Sequence, residues 1–237
     1  MAPHVDYFVL VEACETFRGQ DKPLHFAENA PRFEKFKDKI LHVIVQERLE
    51  TTNPWERERY QREQVMRALK SCHKNDVILL SDLDEIVRGD CIPQIMQQLH
   101  EAQAIVCEQK MYYGYLNCYQ GLWPGTFCTT YGTLKKITPL QARKLRNRKP
   151  RGMRKNHLSK ISLLKEAGWH FTSMGGIDRW ALKLASYSHD IKNVEKWRSG
   201  QQFRDTLAAT TPVAIDASFP KYVIENQEGL RQKGFIR

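Results

Sequence analysis

The most constraining feature of the chain is a short apolar run that ends in three carboxylates. Residues 77–86 read Val-Ile-Leu-Leu-Ser-Asp-Leu-Asp-Glu-Ile, so Asp82, Asp84 and Glu85 follow the apolar segment at once. A run of this length between polar residues predicts a strand buried on both faces. In an open α/β sheet, ligands bind beyond the carboxyl ends of such strands. The sequence therefore predicts a ligand site at this junction.

The spacing of Asp82 and Asp84 indicates a cation site. Side chains two residues apart on an extended chain lie on the same side. Two carboxylates that close repel each other unless a cation lies between them, and hard oxygen ligands favour Mg²⁺ or Mn²⁺. A polar cap on the strand end is the alternative, because a D-x-D pattern is short enough to occur by chance.

Length and composition favour one α/β domain over residues 1–237, since 41% of the 237 residues are hydrophobic. The apolar stretches are too short to span a bilayer and no basic segment precedes the first one, so we expect no transmembrane segment or signal peptide and a cytoplasmic location. The six cysteines form no C-x-x-C pair and lie mostly in apolar segments. This pattern predicts buried reduced thiols without disulfides.

The net charge of +10 is compatible with nucleic acid, an acidic substrate or simple solubility. Eight of the basic residues crowd the stretch Arg143 to Lys155, without interleaved aromatic residues. This arrangement favours a solvated basic loop over a surface that stacks bases. Within the stretch, Arg151 and Arg154 are candidates for contact with a diphosphate or an anionic acceptor.

The order of predicted elements indicates a mostly parallel central sheet flanked by helices. Strand patterns fall at Tyr7–Glu12, Ile40–Val45, Val77–Ser81 and Ala104–Cys107, separated by helical or irregular stretches. This alternation is typical of α/β folds.

One helix has a clear start signal, in which Asn53 is the N-cap, Pro54 the first helical residue and Glu56 the acidic residue at the third helical position. The pattern continues to about Leu69. Trp55, Arg62, Met66 and Leu69 share one face of this helix. Further helices are predicted at Ile92–His100 with Ile92, Ile95, Met96 and Leu99 inward, after Thr138-Pro139, and at Asp178–Tyr187 with Leu182 and Leu184 inward.

Three segments resemble glycosyltransferase family 17: residues 7–24, the D-L-D-E-I segment, and Gly168-Trp169-His170-Phe171. They occur in the family's order, and the resemblance extends from Phe8 to the segment around Tyr222. Known animal members add a bisecting N-acetylglucosamine to N-glycans. The resemblance implies a GT-A type enzyme that transfers a sugar from a UDP-sugar to a glycan or glycoconjugate acceptor and depends on Mn²⁺ or Mg²⁺.

The resemblance also implies an internal division. Residues 1 to about 110 would form the nucleotide-sugar half, and residues 111–237 the acceptor half. The animal members carry a Golgi anchor and stem, whereas this chain starts almost at its first predicted strand. We therefore expect a bacterial or viral type of enzyme.

Glu12 is a candidate donor ligand. It ends the first predicted strand and would share an edge with Asp82 if the two strands are parallel neighbours. A strand-end carboxylate in water is the alternative. The resemblance favours donor binding, because the family's pattern is matched by Glu12, Thr16 and Gly19.

Lys22 and Arg62 are further donor candidates. Lys22 precedes Pro23, whose ring restricts the backbone and could aim the ammonium group at a phosphate. Arg62 lies near Glu58 and Glu63 on its helix, where surface ion pairs would explain it. Its resemblance to arginines that precede the metal-binding strand in other GT-A enzymes implies a diphosphate contact.

His170 is the candidate third metal ligand. Trp169 and Phe171 flank it as on a strand with one buried face, where a packed histidine is the alternative. The resemblance implies that a histidine from the C-terminal half completes the D-x-D site, and imidazole is an acceptable ligand for manganese. His189 competes for this role, but only His170 has the family's Gly-Trp-His setting.

Asp178 is the candidate general base. It follows two glycines at the start of a predicted helix, where a carboxylate is also a good cap. The resemblance implies catalysis, because the family has an acidic residue at the same distance before its Lys-Leu pair. Glu85 is the alternative base.

An aromatic and amide-rich stretch could form an acceptor wall, because aromatic faces stack on sugars and amides bind hydroxyls. Core packing is the alternative for its members, which are Tyr112, Tyr113, Tyr115, Asn117 and Trp123.

Two other classes of function compete with the transferase: a metal-dependent nucleotidyltransferase or nuclease, and a basic nucleic-acid-binding domain. The chain has no glycine-rich phosphate loop for the first and no regular aromatic motif for the second. The resemblance to glycosyltransferase family 17 is therefore left as the better guide, and it implies a sugar transferase, for which we expect no nucleic-acid partner.

Overall fold

The computed structural model describes residues 1–146, 158–186 and 199–237. The strands in this part of the chain are β1 (Phe8–Ala13), β2 (Ile40–Val45), β3 (Val77–Leu80), β4 (Glu85–Val87), β5 (Ala104–Tyr113), β6 (Cys118–Thr130), β7 (Ile161–Thr172) and β8 (Thr211–Pro212). The helices are α1 (His25–Asn29), α2 (Pro54–Glu63), α3 (Ile92–Gln98), α4 (Tyr131–Arg146), α5 (Gly176–Ser186), α6 (Gln201–Ala208), α7 (Lys221–Glu225) and α8 (Gln227–Gln232). Short 3-10 helices lie at Ala2–His4, Ala30–Lys39, Gln64–Arg67 and Gly89–Cys91.

The strands form two sheets, and the larger one is mixed. Strands β1 and β2 are parallel and form a two-stranded sheet. The six-stranded sheet has the order β3-β6-β5-β7-β4, with β8 beside β6. In it, β5 and β7 are parallel, whereas β6 is antiparallel to β3 and β5, and β4 is antiparallel to β7. The fold is thus α/β as predicted, but the expectation of a mostly parallel sheet was wrong.

A long hairpin causes the mixed order. Strands β5 and β6 are joined only by residues 114–117, and so short a connection forces antiparallel pairing. Gly114 in this turn has a φ of 73°, a conformation that glycine adopts without steric cost. Strand β6 was not predicted because it contains Gly121, Pro124 and Gly125, residues that usually interrupt strands.

Hydrophobic clusters cover both faces of the larger sheet. Along β5, Ala104 and Val106 face a cluster that includes α4, whereas Ile105 and Cys107 face a cluster that includes α3. This alternation follows from the two-residue period of a strand. Val9 of β1 packs against the first cluster, so the two sheets share this part of the core.

Helix starts were predicted better than helix faces. The Asn53 side chain accepts a hydrogen bond from the Trp55 amide at 3.0 Å, which confirms the N-cap of α2. The α-helix ends at Glu63 and continues as a 3-10 helix to Arg67.

Two predicted core contacts were wrong. Met96 is 52% exposed because α3 packs through a narrow stripe that contains Ile92 and Ile95. Leu182 is 71% exposed, and the large side chain that α5 buries is Trp180 instead.

Helix α4 begins earlier than predicted. It starts at Tyr131 and passes through a kink at Thr138, whose φ is 58° and ψ is 154°. Pro139 therefore opens the second part of the helix, as a proline at a helix start does.

All six cysteines have free thiols. Among the described helices, none is long and apolar enough to cross a membrane.

Candidate functional site

The carboxyl ends of β1 and β3 lie together beside α2. The Gln61 side chain donates to the Val11 carbonyl of β1 at 3.4 Å. The next residue, Arg62, donates to the carboxylate of Asp82, just beyond β3, at 2.7 Å. Two consecutive side chains of one helix thus contact both strand ends, although the two strands are not paired with each other.

Glu12 and Lys22 lie next to each other at the end of β1. The Glu12 carboxylate is buried and accepts a hydrogen bond from the Phe26 amide at 3.0 Å. The Lys22 ammonium nitrogen lies 3.9 Å from Glu12 Oε1. His42 Nε2 of β2 lies 3.1 Å from Glu12 Oε2 and was missed from the sequence. In the sequence, its position as a polar residue within the apolar run of β2 is the feature that could have identified His42 as a site residue.

Three arginines surround Asp82. Arg62 Nη1 and Arg143 Nη1 bind Oδ1, and Arg143 and Arg146 bind Oδ2 at 2.7 and 2.9 Å. Burial by itself raises the pKa of Asp82, but the charges of Arg62, Arg146 and Arg143 outweigh it and hold that pKa well below its usual range. Asp82 is therefore ionised, and both of its oxygens are held by guanidinium groups.

Two of these arginines were assigned to a solvated loop by the sequence. Arg143 and Arg146 belong instead to the last turn of α4, and their spacing of three puts them on one face of the helix. Ala142 and Leu145 beside them are buried in the core. The signal that could have identified them is this continuation of the amphipathic pattern into the basic stretch.

Glu85 lies beneath this cluster with no exposed side-chain surface. Arg146 Nη1 binds its two oxygens at 2.7 and 3.0 Å, and Trp123 Nε1 donates to Oε1 at 3.0 Å. The amide of Asp82 donates to Oε2 at 3.0 Å. Burial raises the pKa of Glu85, and the Arg146 charge opposes that shift. Because its oxygens are enclosed, Glu85 braces the turn between β3 and β4 and does not face a substrate.

Pairing between β4 and β7 brings Asp84 to His170. Glu85 lies opposite His170 in this antiparallel pair, and His170 Nε2 is 3.4 Å from Asp84 Oδ1. The pairing requires Gly168, because a Cβ there would lie 2.0 Å from the Ile86 carbonyl oxygen. The glycine of the Gly-Trp-His segment thus permits the close approach that joins the two candidate metal ligands.

Lys183 of α5 completes the surroundings of Asp84. Its ammonium nitrogen lies 3.5 Å from Asp84 Oδ2 and 3.3 Å from Thr172 Oγ1. Burial raises the pKa of Asp84, whereas the hydrogen bond from His170 and the charge of Lys183 lower it. The lowering is the larger effect, so the net shift is downward. Lys183 was not identified as a site residue from the sequence.

The donor set at Asp84 fits a hard divalent cation in part. Asp84 offers carboxylate oxygens and His170 an imidazole, whose Nδ1 is buried with no hydrogen-bond partner among the described residues. Asp82 would join them only if its arginines moved. No cluster of three or more His, Cys, Asp or Glu side chains within residues 1–146, 158–186 and 199–237 is arranged to hold a metal ion.

Asp178 is exposed on the first turn of α5. It is the third helical residue, after Gly176, so it does not occupy the N-cap position. Asp178 forms no ion pair or side-chain hydrogen bond with another described residue. The same helix reaches Asp84 through Lys183. The alternative metal ligand His189 and the basic candidates Arg151 and Arg154 lie outside the described residues.

Most residues of the expected acceptor wall are packed in the core or form hydrogen bonds with other parts of the chain. Tyr112 and Tyr113 are buried in hydrophobic clusters, so the expectation that they face an acceptor was wrong. The Asn117 side chain binds the backbone of Arg237, and Trp123 binds Glu85. Tyr115 is half-buried.

The comparisons with known proteins agree with the sequence motifs. The sequence model of glycosyltransferase family 17 matches residues 1–121. No curated protein and no solved structure matches the chain. The matched region includes Glu12, Lys22, Arg62, Asp82 and Asp84. It covers just over half of the 237 residues, and the chain therefore belongs to glycosyltransferase family 17.

Proposed function

We propose that the chain is a metal-dependent, inverting glycosyltransferase of the GT-A type that uses a UDP-sugar donor. The observation that carries the proposal is the convergence of the carboxyl ends of β1 and β3 beside α2. Glu12 and Lys22 lie at the first of these strand ends, and Asp82 and Asp84 follow the second. N-acetylglucosamine is the first sugar to test, because it is the one that the animal members transfer. The acceptor is a glycan or glycoconjugate.

In this proposal, the residues divide into donor, metal and base roles. Glu12, Lys22, Arg62 and Asp82 contact the nucleotide part of the donor. Asp82, Asp84 and His170 would hold Mg²⁺ or Mn²⁺, which would neutralise charge on the diphosphate leaving group. His170 needs little movement for this role, because its Nε2 already lies 3.4 Å from Asp84 Oδ1.

Asp178 acts as the general base. It removes the proton from an acceptor hydroxyl while the hydroxyl oxygen bonds to the anomeric carbon. The bond from that carbon to the diphosphate oxygen breaks, and UDP leaves with the bonding electrons. The attack comes from the side opposite to the leaving group, so the configuration inverts. The exposure of Asp178, and the attachment of its helix to Asp84 through Lys183, support this role.

The test is a transfer assay with a matched pair of variants. We would incubate the protein with Mn²⁺, a series of UDP-sugars and oligosaccharide acceptors, and determine the product configuration by NMR. Asp84→Asn should abolish metal-dependent transfer while it keeps the melting temperature close to that of the wild type. The control is Asp90→Asn, since Asp90 is an exposed carboxylate whose ion-pair partner in the described part of the chain is Arg88.

Full transfer by Asp84→Asn would contradict the assignment of Asp84 as a metal ligand. A product with retained configuration would contradict the inverting mechanism. Thermal-shift titration with oligonucleotides tests the rival classes, because a ligand that binds the folded state raises the melting temperature. A rise with RNA or DNA but not with UDP would favour a nucleic-acid-directed function.

A further inference from the structure

A small pocket lies on the larger sheet, away from the carboxylates that the proposed function uses. It has a volume of about 190 Å³ and is lined by Arg88, Lys110, Glu166, Gly168, Trp169 and Ser218. We call it the Trp169 pocket. We propose that it binds one neutral sugar unit of a glycan, as a site separate from the one at which transfer takes place. The inference goes beyond the proposed function, because binding here requires neither the metal nor the donor.

The Trp169 pocket lies on the face of the sheet opposite to the candidate catalytic site. Trp169 is in register with Lys110 of β5 and with Ile86 of β4, and side chains in register point to the same face. The next residue of β7, His170, therefore points to the other face. There its ring packs against Trp123, with 5.0 Å between the ring centroids. A sugar in the Trp169 pocket would thus not compete with the donor or the metal.

Glu166 is held in a strained backbone conformation at the pocket. Its φ is 51°, a value that residues other than glycine rarely adopt. Glu166 lies in a bulge, since β7 advances from Leu164 to Gly168 while β5 advances only from Cys107 to Gln109. Bulges redirect side chains, and strained residues of this kind occur most often where a ligand is bound. The strain therefore points to a role for the Glu166 side chain.

The charges at the pocket are balanced. Lys110 and Glu166 form no ion pair or side-chain hydrogen bond with another described residue. Arg88 is paired with Asp90, and 2.6 Å separate Nη2 from Oδ2. The pKa of Asp216 is lowered by hydrogen bonds within its own turn and then by the charge of Lys110, so a further carboxylate lies near this ammonium group. The surroundings therefore lack the excess of positive charge that would select an anion.

A neutral sugar matches these polar groups. Each sugar hydroxyl is both a donor and an acceptor, so one hydroxyl accepts a hydrogen bond from Lys110 while another donates to Glu166. The volume lies below the range of about 300–1,000 Å³ for drug-sized ligands, which limits the pocket to a single sugar unit.

Trp169 supplies an apolar surface with a fixed orientation. It is half-buried, and its Nε1 donates to the Ser218 carbonyl at 3.1 Å, which holds the indole ring in place. Aromatic rings pack against the C–H groups of sugars. Two neighbours in the same row across the sheet are also accessible: Ile86 is 37% exposed, and Leu122, in register with Lys110, is 55% exposed. This row extends the apolar surface beyond the pocket, where the rest of a glycan would lie.

The experiment is an NMR titration of the full, isotope-labelled chain. The indole N–H signal of Trp169 is identified by its absence from the spectrum of Trp169→Phe. The ligands are neutral disaccharides of N-acetylglucosamine, mannose and galactose, with glucuronic acid as the anionic comparison. We expect at least one neutral disaccharide to shift the Trp169 signal in a saturable way, and glucuronic acid to bind no more tightly than that disaccharide.

Two variants with matched controls locate the site. Glu166→Gln and Lys110→Gln should each weaken disaccharide binding about tenfold, the size of one lost charge-assisted hydrogen bond. The controls Glu101→Gln and Lys165→Gln remove charges of the same sign at exposed positions outside the pocket and should bind like the wild type. Asp84→Asn should also bind like the wild type, because Asp84 belongs to the candidate metal site. Melting temperatures close to that of the wild type show that the variants are folded.

A second pair of variants tests the strained conformation. Glu166→Ala and Glu166→Gly both remove the carboxylate and should weaken binding to the same degree. Glycine adopts a positive φ without steric cost, so Glu166→Gly should have a higher melting temperature than Glu166→Ala. Equal melting temperatures would contradict the strain from which the role of Glu166 is inferred.

Four outcomes would overturn the inference: no binding of any neutral disaccharide, wild-type affinity in both Glu166→Gln and Lys110→Gln, loss of binding in Asp84→Asn, or tighter binding of glucuronic acid than of every neutral sugar. Loss in Asp84→Asn would show that the sugar lies at the catalytic face instead. The inference and the transferase proposal fail separately. A wild-type chain that binds a neutral disaccharide through Glu166 but transfers no sugar would refute the transferase proposal alone.

Discussion

Arg146 holds two carboxylates in a buried position, and its removal should be the costliest single change near the site. Its side chain is only 4% exposed, and that of its partner Glu85 is fully buried. Arg146→Met would leave Glu85 without its cation, while Asp82 would keep Arg62 and Arg143. Removal of one member of a buried ion pair costs about 3–5 kcal/mol, because the other charge remains desolvated.

This loss converts into a measurable change in melting temperature. For a chain of this size, 1 kcal/mol corresponds to roughly 2–4 °C, so we expect a decrease of about 6–20 °C. Urea unfolding should give a lower midpoint at an unchanged slope if the native and unfolded states keep their compactness. The control is Arg143→Met, which should cost at most about 1 kcal/mol, because Arg143 is 30% exposed and its partner keeps two other cations.

A second substitution tests the cause. In Glu85→Gln/Arg146→Met the buried charge is gone, and the glutamine oxygen can still accept the hydrogen bond from Trp123. The double variant should therefore be more stable than Arg146→Met alone, by about 2 kcal/mol. A loss below about 1 kcal/mol in the single variant, or a double variant that is no better than the single one, would refute the assignment of Glu85 and Arg146 as a buried ion pair.

Three further predictions concern the proposed general base, the binding of the UDP-sugar donor and the stability of the protein at acidic pH. Asp178→Asn should bind UDP-sugar normally and keep its melting temperature, yet lose about 10²–10⁴ in turnover; turnover close to that of the wild type would remove Asp178 from the mechanism. Glu12→Gln should weaken UDP binding in calorimetry more than it slows turnover at saturating donor, because it removes a contact that exists before the reaction; unchanged affinity would make Glu12 purely structural. The pKa of Asp82 is lowered in the folded state, so its stabilising effect is present above its ordinary pKa of about 4 and is lost as the pH falls below that value. Asp82→Asn should therefore be less stable than the wild type at pH 7, and urea titrations should show this difference shrinking below about pH 4, whereas a constant difference would contradict the ion-pair account.

Local signals in the sequence were sufficient for several elements in the N-terminal half of the chain. The bounds of β2 were predicted as observed, because a run of branched apolar residues between polar flanks has few alternatives. The start of α2 followed from Asn53 and Pro54, whose backbone preferences act within one turn. The end of β3 and its carboxylates followed from an abrupt change of polarity between Leu80 and Asp82.

Strand direction and ion-pair partners depended on contacts between distant parts of the chain. Arg146 meets Asp82 across 64 positions, and no periodic pattern encodes such a pairing. The direction of β6 was set by its hairpin with β5, whereas its own glycines and proline concealed the strand.

The sequence by itself identified the carboxylates of the candidate site, and the tertiary structure decided which basic side chains lie beside them. Adjacent carboxylates at a strand end indicate a site for cations, because the repulsion between neighbouring residues can be read from the sequence. Only the fold decides which side chains lie beside each of them, and here Asp82 contacts arginines from α2 and α4 while Asp84 contacts His170 and Lys183. The physical reason is that charge pairing depends on distance in space, which the order of residues along the chain does not specify.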